Sequence, residues 1–244
     1  HPLEFLAWTV LVYFSTVHFT TLVPALALEW QIYGYIIPGV ALFAQIVCRI
    51  IAMSINPAHL SVLSKDRKIK LPLFDRSVHP HVIECLYCHI CRVTVSRRTR
   101  HCSVCNKCVD GYDHHCFFLN NCVGSRNFRW FFANVVTAII GLLLIVAVAL
   151  LEFVAYFMDK SARVILLPYI STPSGVAAQF KVFYCPATDE GWLALVGVTA
   201  FLGSVSCVLL IHLFGSHCYY SMSESCILFY SLYLHQTALK SIIT

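Results

Sequence analysis

Residues 101–116, HCSVCNKCVDGYDHHC, hold four cysteines and three histidines within sixteen positions. Two-residue spacers separate Cys102 from Cys105 and Cys105 from Cys108, and such spacers let paired thiolates converge on one metal ion. The stretch contains few apolar residues, so it cannot build a conventional hydrophobic core. We therefore predict that bound zinc holds this segment together, because zinc binding contributes folding free energy directly.

The same pattern continues on both sides of this stretch and fills 35 residues. In chain order, the candidate zinc ligands are Cys88, Cys91, His101, Cys102, Cys105, Cys108, His115 and Cys122. A structural zinc ion takes four ligands, so eight ligands predict two closed structural zinc sites. A cluster of merely buried cysteines would not explain three two-residue spacings with histidine placed between them.

Two four-ligand zinc sites leave three residues of the run from Asp113 to Cys116 without a metal role. These residues are Asp113, His114 and Cys116. A thiol next to an imidazole and near cationic zinc sites is a competent nucleophile, which makes Cys116 the candidate catalytic residue. An aspartate beside a histidine can fix the tautomer of that histidine and stabilise its protonated form, as Asp113 would do. Spacing alone does not decide whether His114 or His115 is the zinc ligand and which is the general base.

Outside this segment the chain is strongly apolar, with 59% hydrophobic and 12% charged residues among 244. That composition is typical of a membrane protein. Four stretches can cross a hydrocarbon core roughly 30 Å thick. They are residues 6–28, 33–55, 130–157 and 192–214. The first is too long for a signal peptide and has no small-residue cleavage site after it. Because the chain begins with His1, we expect residues to precede it.

The charge pattern predicts the orientation, since Lys and Arg near the ends of spans are retained in the cytosol. Twelve of the 17 Lys and Arg residues lie in residues 56–129, whereas the connections 29–32 and 159–190 carry few. We therefore place the middle segment and both termini in the cytosol. Eight of the 13 cysteines lie between Cys85 and Cys122, on the side where thiols stay reduced, which favours metal binding over disulfides.

The predicted fold class is an all-α polytopic membrane protein with four transmembrane helices. A cytosolic, zinc-braced, cysteine-rich domain lies between helices 2 and 3. The expected divisions are helices 1 and 2 in residues 1–55, a linker and the zinc domain in 56–129, helices 3 and 4 with a lumenal loop in 130–220, and a short cytosolic tail in 221–244. Polar residues inside spans are energetically costly, so His18, Asn134 and Glu152 could line a cavity.

The run HCSVCNKCVDGYDHHC followed by FFLNNCVGSRNF resembles the cysteine-rich core of the DHHC-type zinc-finger protein S-acyltransferases, or palmitoyltransferases. Members of that family carry this core between the second and third of four spans. The runs CRVTV, NKCVDGYDHHC and NNCVGSRN are most similar to the subgroup of zinc-finger DHHC-type proteins 1 and 11.

The resemblance implies a role for each matching position. One zinc ion would be held by Cys88, Cys91, His101 and Cys108, and the other by Cys102, Cys105, His115 and Cys122. Cys116 would be the acylated nucleophile, His114 its general base and Asp113 the group that orients the base. Phe118 and Phe131 would lie near the acyl chain; the alternative is that they are ordinary aromatic residues at the membrane interface.

The resemblance also implies the activity. The protein would move a palmitoyl group from palmitoyl-CoA through an acyl-enzyme on Cys116 to the cysteine of a substrate protein. Its partners would be membrane lipid, fatty acyl-CoA and proteins with cytosolic cysteines near the membrane, in the endoplasmic reticulum or Golgi. Nucleic acid is not expected as a partner, because no finger helix with the usual spacing is present.

The sequence departs from the family pattern in three places. Asn56-Pro57-Ala58 replaces the usual Asp-Pro-Gly run after the second span. Phe117 and Phe118 replace the usual Pro-Trp pair, and residues 215–244 contain no Thr-Thr-x-Glu element after the fourth span. If that element normally packs against the catalytic face, the chain could keep its zinc fold and be slow or inactive. The alternative function is therefore a membrane adaptor that recruits signalling partners through its zinc domain.

Overall fold

The computed structural model describes residues 1–65, 72, 74–162, 164–170 and 179–243, with side chains described everywhere in these ranges except 160–162 and 220–243. Four of its helical stretches are long and apolar enough to cross a membrane. They are Pro2–Ala25, Leu28–Ser54, Phe128–Asp159 and Asp189–Tyr219. This result confirms the predicted four-helix membrane architecture, with the cysteine-rich segment between the second and third spans.

The described residues contain six α-helices and one π-helical segment, and all of these except the short helix α4 belong to the four spans. The helices are α1 Pro2–Val17, α2 Val23–Ala25, α3 Leu28–Ser54, α4 Leu60–Leu63, α5 Phe128–Ala162 and α6 Asp189–Ile243. The π-helical segment His18–Leu22 joins α1 to α2, so these three elements form the first span. Helix α5 packs against both α3 and α6 and is the central helix of the bundle.

The connection between the first two spans differs from the prediction, which placed a turn at residues 29–32. The chain instead turns at Leu26 and Ala27, where the backbone becomes extended. The amide of Ala27 donates a hydrogen bond to the carbonyl of Ile165 at 2.8 Å, and Leu26 pairs with Leu166. The polar residue Gln31 is helical, and its side chain donates to the Leu26 carbonyl at 2.8 Å. This polar side chain therefore stabilises the start of α3, because it satisfies the carbonyl of Leu26 in the turn.

The cysteine-rich domain consists of short antiparallel hairpins. Its strands are β1 Ile83–Glu84, β2 Tyr87–Cys88, β3 Val93–Thr94, β4 Arg100–Cys102, β5 Lys107–Val109, β6 His114–Cys116 and β7 Asn121–Val123. Strands β1, β2 and β3 form one sheet, whereas β4 pairs with β5 and β6 pairs with β7. A further hairpin, β8 Lys181–Val182 with β9 Cys185–Pro186, lies between α5 and α6.

Two buried asparagines hold the cysteine-rich domain against the end of α3. The side-chain amide of Asn121 donates to the carbonyls of Met53 and Ile55 at 3.1 and 2.9 Å. Asn127 is fully buried, and its amide donates to the carbonyls of Ala52 and Cys122 at 3.2 and 2.9 Å. These bonds satisfy carbonyls at the C-terminal end of a helix, which otherwise lack intrahelical partners. They place strands β6 and β7 directly at the end of the helical bundle.

Two parts of the sequence interpretation lie outside the described residues. The basic linker residues Arg67, Lys68 and Lys70 are among them. So are the side chains of the apolar run 226–234 in the predicted tail 221–244. The backbone of α6 continues as a helix through that tail to Ile243.

Candidate active site and metal centres

The first group of ligand side chains joins two hairpins. Cys88 lies at the end of β2 and Cys91 in the turn that follows, whereas His101 and Cys108 face each other across the β4–β5 pair. The three sulfur atoms lie 3.7, 3.4 and 3.8 Å from Nδ1 of His101. The three cysteines are buried, and all four ligand atoms lie within 4.8 Å of one another. This arrangement could hold one metal ion.

The second group joins the hairpin of β4 and β5 to the hairpin of β6 and β7. Cys102 and Cys105 approach His115 and Cys122, which are paired across β6 and β7. The sulfur atoms of Cys102, Cys105 and Cys122 lie 3.8, 3.4 and 3.4 Å from Nδ1 of His115. Each group therefore offers three thiolates and one imidazole, a donor set that suits a closed, tetrahedral structural zinc site.

The alternation of side chains along the short strands explains why the two groups interleave. Successive residues of a strand point to opposite faces, so His101 and Cys102 on β4 join different metal groups. On β6 the same rule turns His115 toward the second metal group. His114 and Cys116 then share the other face. The structure thus places the two adjacent histidines in different environments, a distinction that spacing alone left open.

The side chains of Asp113, His114 and Cys116 form a second polar arrangement beside the metal groups. Nδ1 of His114 lies 2.7 Å from Oδ2 of Asp113. Burial by itself lowers the pKa of His114, but its hydrogen bonds with Asp113 and Cys116 outweigh burial and raise that pKa to about 9. The bond to His114 holds the pKa of the Asp113 carboxyl below its usual range. A protonated imidazole beside a thiol is the environment that supports a thiolate nucleophile.

An apolar cavity of about 610 Å³ opens next to Cys116 and extends between the spans. Cys116 is buried, with 8% of its surface exposed, and it packs with Leu119 and Phe131. Phe118 and Phe131, the two residues expected near an acyl chain, both line this cavity. Of the three polar span residues considered, Asn134 lines the cavity, whereas His18 and Glu152 are buried outside its lining. A cavity of this size and character suits a largely apolar ligand.

Arg49 is a buried cation in this apolar cavity, and no local motif marks it in the sequence. Its side chain lines the cavity together with Cys116, although only 5% of the residue is exposed. Its Nη2 donates to the carbonyl of Phe118 at 2.7 Å, and the guanidinium lies 4.7 Å from the ring centre of Trp8. A charge inside a span is costly and is a signal of function.

His217 also approaches the site, and it comes from α6, about one hundred residues away from Asp113 in the chain. Its Nδ1 lies 3.4 Å from Oδ2 of Asp113, the same oxygen that His114 contacts. Its ring lies 5.3 Å from that of His114 and 5.1 Å from that of Phe131. No local motif marks His217 in the sequence, so only the packing of α6 against the cysteine-rich domain identifies it.

The family model described as DHHC palmitoyltransferase matches residues 81–233, which is more than half of the chain. This chain belongs to the DHHC palmitoyltransferase family. The match covers both metal groups, the Asp113–Cys116 run and the last two spans, and it confirms the resemblance stated from the sequence.

Curated members of the DHHC family resemble the chain over most of its length. Palmitoyltransferase ZDHHC1 of zebrafish is 40% identical over 223 residues, covering 90% of this chain and 38% of the zebrafish protein. Human palmitoyltransferase ZDHHC1 is 41% identical over the same length, covering 90% of this chain and 46% of the human protein. Human palmitoyltransferase ZDHHC11 is 42% identical over 160 residues, covering 65% of this chain and 39% of that protein. The chain spans less than half the length of these relatives.

Proposed function

We propose that this chain is a protein S-acyltransferase that moves a long-chain acyl group, such as palmitoyl, from acyl-CoA to a cysteine of a substrate protein. The observation that carries the proposal is the position of Cys116. This thiol lies beside His114 and Asp113 and at the same time lines the apolar cavity between the spans. A nucleophile with access to both a proton carrier and a lipid-sized cavity can react with an acyl thioester whose chain is held in the membrane.

In the first step the Cys116 thiolate attacks the carbonyl carbon of the acyl-CoA thioester. The carbon–sulfur bond to CoA breaks, a new thioester forms on Cys116, and the imidazolium of His114 gives its proton to the sulfur of CoA. Asp113 keeps His114 in the required orientation through the 2.7 Å contact.

In the second step neutral His114 takes the proton from the thiol of the acceptor cysteine. The acceptor thiolate attacks the acyl carbonyl, and Cys116 leaves as a thiolate beside the newly protonated His114. Both steps exchange one thioester for another, so the overall free-energy change is small. Positioning of the reacting groups therefore carries much of the rate.

The two Cys3His groups would hold structural zinc ions. Zinc bound there supplies folding free energy and crosslinks the hairpins, and it takes no part in the acyl transfer. The residues that would bind it are the eight side chains of the two groups described above. His115 would fix strand β6 through its zinc ion, and this would hold His114 and Cys116 next to the cavity.

The orientation and location of the protein are part of the same proposal. We place the cysteine-rich domain in the cytosol, where its thiols remain reduced and where acyl-CoA and acceptor cysteines are present. The membrane would be that of the endoplasmic reticulum or Golgi.

Labelling with radioactive palmitoyl-CoA tests the activity. We expect the purified, zinc-loaded protein to become labelled, the label to be released by hydroxylamine as expected for a thioester, and Cys116→Ser to remain unlabelled. If zinc-loaded wild type takes up no label while it remains folded, the protein is an adaptor instead. The absence of a Thr-Thr-x-Glu element from residues 215–244 is the observation that favours that alternative.

A further inference from the structure

A third group of metal-binding side chains lies apart from the two Cys3His groups, at the start of the cysteine-rich domain. It consists of His79, Glu84 and His89, none of which belongs to the ligand pattern of the family resemblance. One carboxylate oxygen, Oε2 of Glu84, lies 3.4 Å from Nδ1 of His79 and 3.0 Å from Nε2 of His89. The three ligand atoms all lie within 4.8 Å of one another.

The backbone holds each of these three residues in place. The amide of His79 donates to the Asp75 carbonyl at 3.2 Å, and the amide of His89 donates to the Val82 carbonyl at 3.0 Å. Glu84 lies on β1, where its other oxygen, Oε1, accepts a hydrogen bond from the amide of His81 at 3.2 Å. That bond orients the carboxylate and leaves Oε2 directed at the two imidazoles.

The two imidazole rings are stacked, with their centres 3.5 Å apart and an angle of 17° between their planes. An imidazole binds a metal ion through the lone pair of a ring nitrogen. A divalent cation between the rings and the carboxylate would accept one lone pair from each ring and one from Oε2 of Glu84.

We propose that His79, Glu84 and His89 form a third metal site, which binds Zn²⁺ with two nitrogen ligands and one oxygen ligand. Imidazole suits a borderline cation such as zinc, and a zinc site with three protein ligands keeps an open position for water. The side chains are partly exposed, at 36%, 28% and 21%, so the ion exchanges with solvent zinc. This site is weaker and more labile than the two buried four-ligand groups.

A zinc ion at this site would connect the segment that enters the domain to its first hairpin. His79 precedes β1, whereas His89 follows β2 and lies between Cys88 and Cys91 of the first Cys3His group. The third ion would therefore stiffen the entrance of the domain in response to the available zinc, while the other two ions keep the domain folded.

Zinc stoichiometry at controlled free zinc tests this site without reference to acyl transfer. The full chain, purified in detergent with any affinity tag removed, is dialysed against zinc buffers of rising free concentration, and bound zinc is counted by mass spectrometry. We expect about two ions per chain after mild chelation and about three at micromolar free zinc. His79→Gln should lose the third ion, because it removes one of the three ligands. It should keep the first two ions, because His79 is nine residues away from the nearest Cys3His ligand, Cys88.

His81→Gln is the matched control, since His81 is exposed and contributes only its backbone amide to the group. It should bind a third ion as wild type does. Glu84→Gln provides an independent variant if His79→Gln fails to retain the first two ions. The proposal is wrong if wild type never exceeds two ions. It is also wrong if the third ion persists in both His79→Gln and Glu84→Gln, which would locate that ion elsewhere, for example at Asp113, His114 and His217.

Discussion

Adjacent histidines on strand β6 face different surroundings, and this has a direct consequence for single substitutions. His114 contacts Asp113 and Cys116, whereas His115 lies among three sulfur atoms. We expect His114→Gln to keep about two zinc ions per chain and to lower the rate of acyl-enzyme formation by roughly 10² to 10⁴, the usual contribution of a general acid–base. His115→Gln should lose zinc instead. Metal analysis and palmitoyl-CoA labelling of both variants check this, and equal zinc loss in the two variants would contradict it.

Arg49 supports the active-site loop from inside the membrane bundle. Its bond to the Phe118 carbonyl is charge-assisted, and such bonds contribute about 1.5–3 kcal/mol. We expect Arg49→Gln to lower stability by an amount within that range and to slow labelling of Cys116, because the loop after β6 loses its fixed position. Thermal unfolding and the labelling rate measure the two effects. Arg76→Gln, at an exposed arginine, is the control and should match wild type.

At the scale of elements, each strand of the cysteine-rich domain is only two or three residues long. Isolated hairpins with such short strands are marginal in water, so we expect metal crosslinks through the Cys3His groups to supply most of their stability. We expect Cys102→Ala to unfold the cysteine-rich domain and to lower metal content, whereas Cys116→Ala keeps about two zinc ions. Metal analysis with limited proteolysis distinguishes the two. A folded, zinc-replete Cys102→Ala protein would show that the strands do not need that group.

Helix α6 reaches the cysteine-rich domain through His217, a contact that spans two parts of the whole molecule. Because His217 and His114 approach the same oxygen of Asp113, His217 helps to fix that carboxylate. We expect His217→Leu to reduce the labelling rate on the order of tenfold, as misplacement of a catalytic group does, with zinc content unchanged. His217→Asn, which restores a hydrogen-bond donor, should recover part of the rate. If His217→Leu and His217→Asn are labelled at the same rate, the ring of His217 acts only through packing.

The cavity between the spans is also a property of the whole molecule, and its lining predicts selectivity for the acyl donor. Gly141 lines the cavity, and a Cβ atom there would meet only Ala41, at 3.9 Å. We expect Gly141→Leu to project into the cavity and to reduce transfer from palmitoyl-CoA more than from decanoyl-CoA. Competition between the two donors measures the change. Gly215 lies outside the cavity lining, and a Cβ there would meet no atom of the described residues within 4 Å, so Gly215→Leu should leave the preference unaltered.

The sequence was enough to predict the four spans, the position of the cysteine-rich domain between the second and third, and the family, because apolar length and ligand spacing are local properties of a chain. It could not choose between His114 and His115 without the family resemblance, since that choice depends on which face of β6 each side chain occupies. The sequence predicted the first turn three residues too late, because the polar residue Gln31 lies in α3, where its side chain bonds to the carbonyl of Leu26 in the turn. Only the tertiary structure brought Arg49 and His217 to the site, since contacts across 69 and 104 residues are made by helix packing, which no local pattern records.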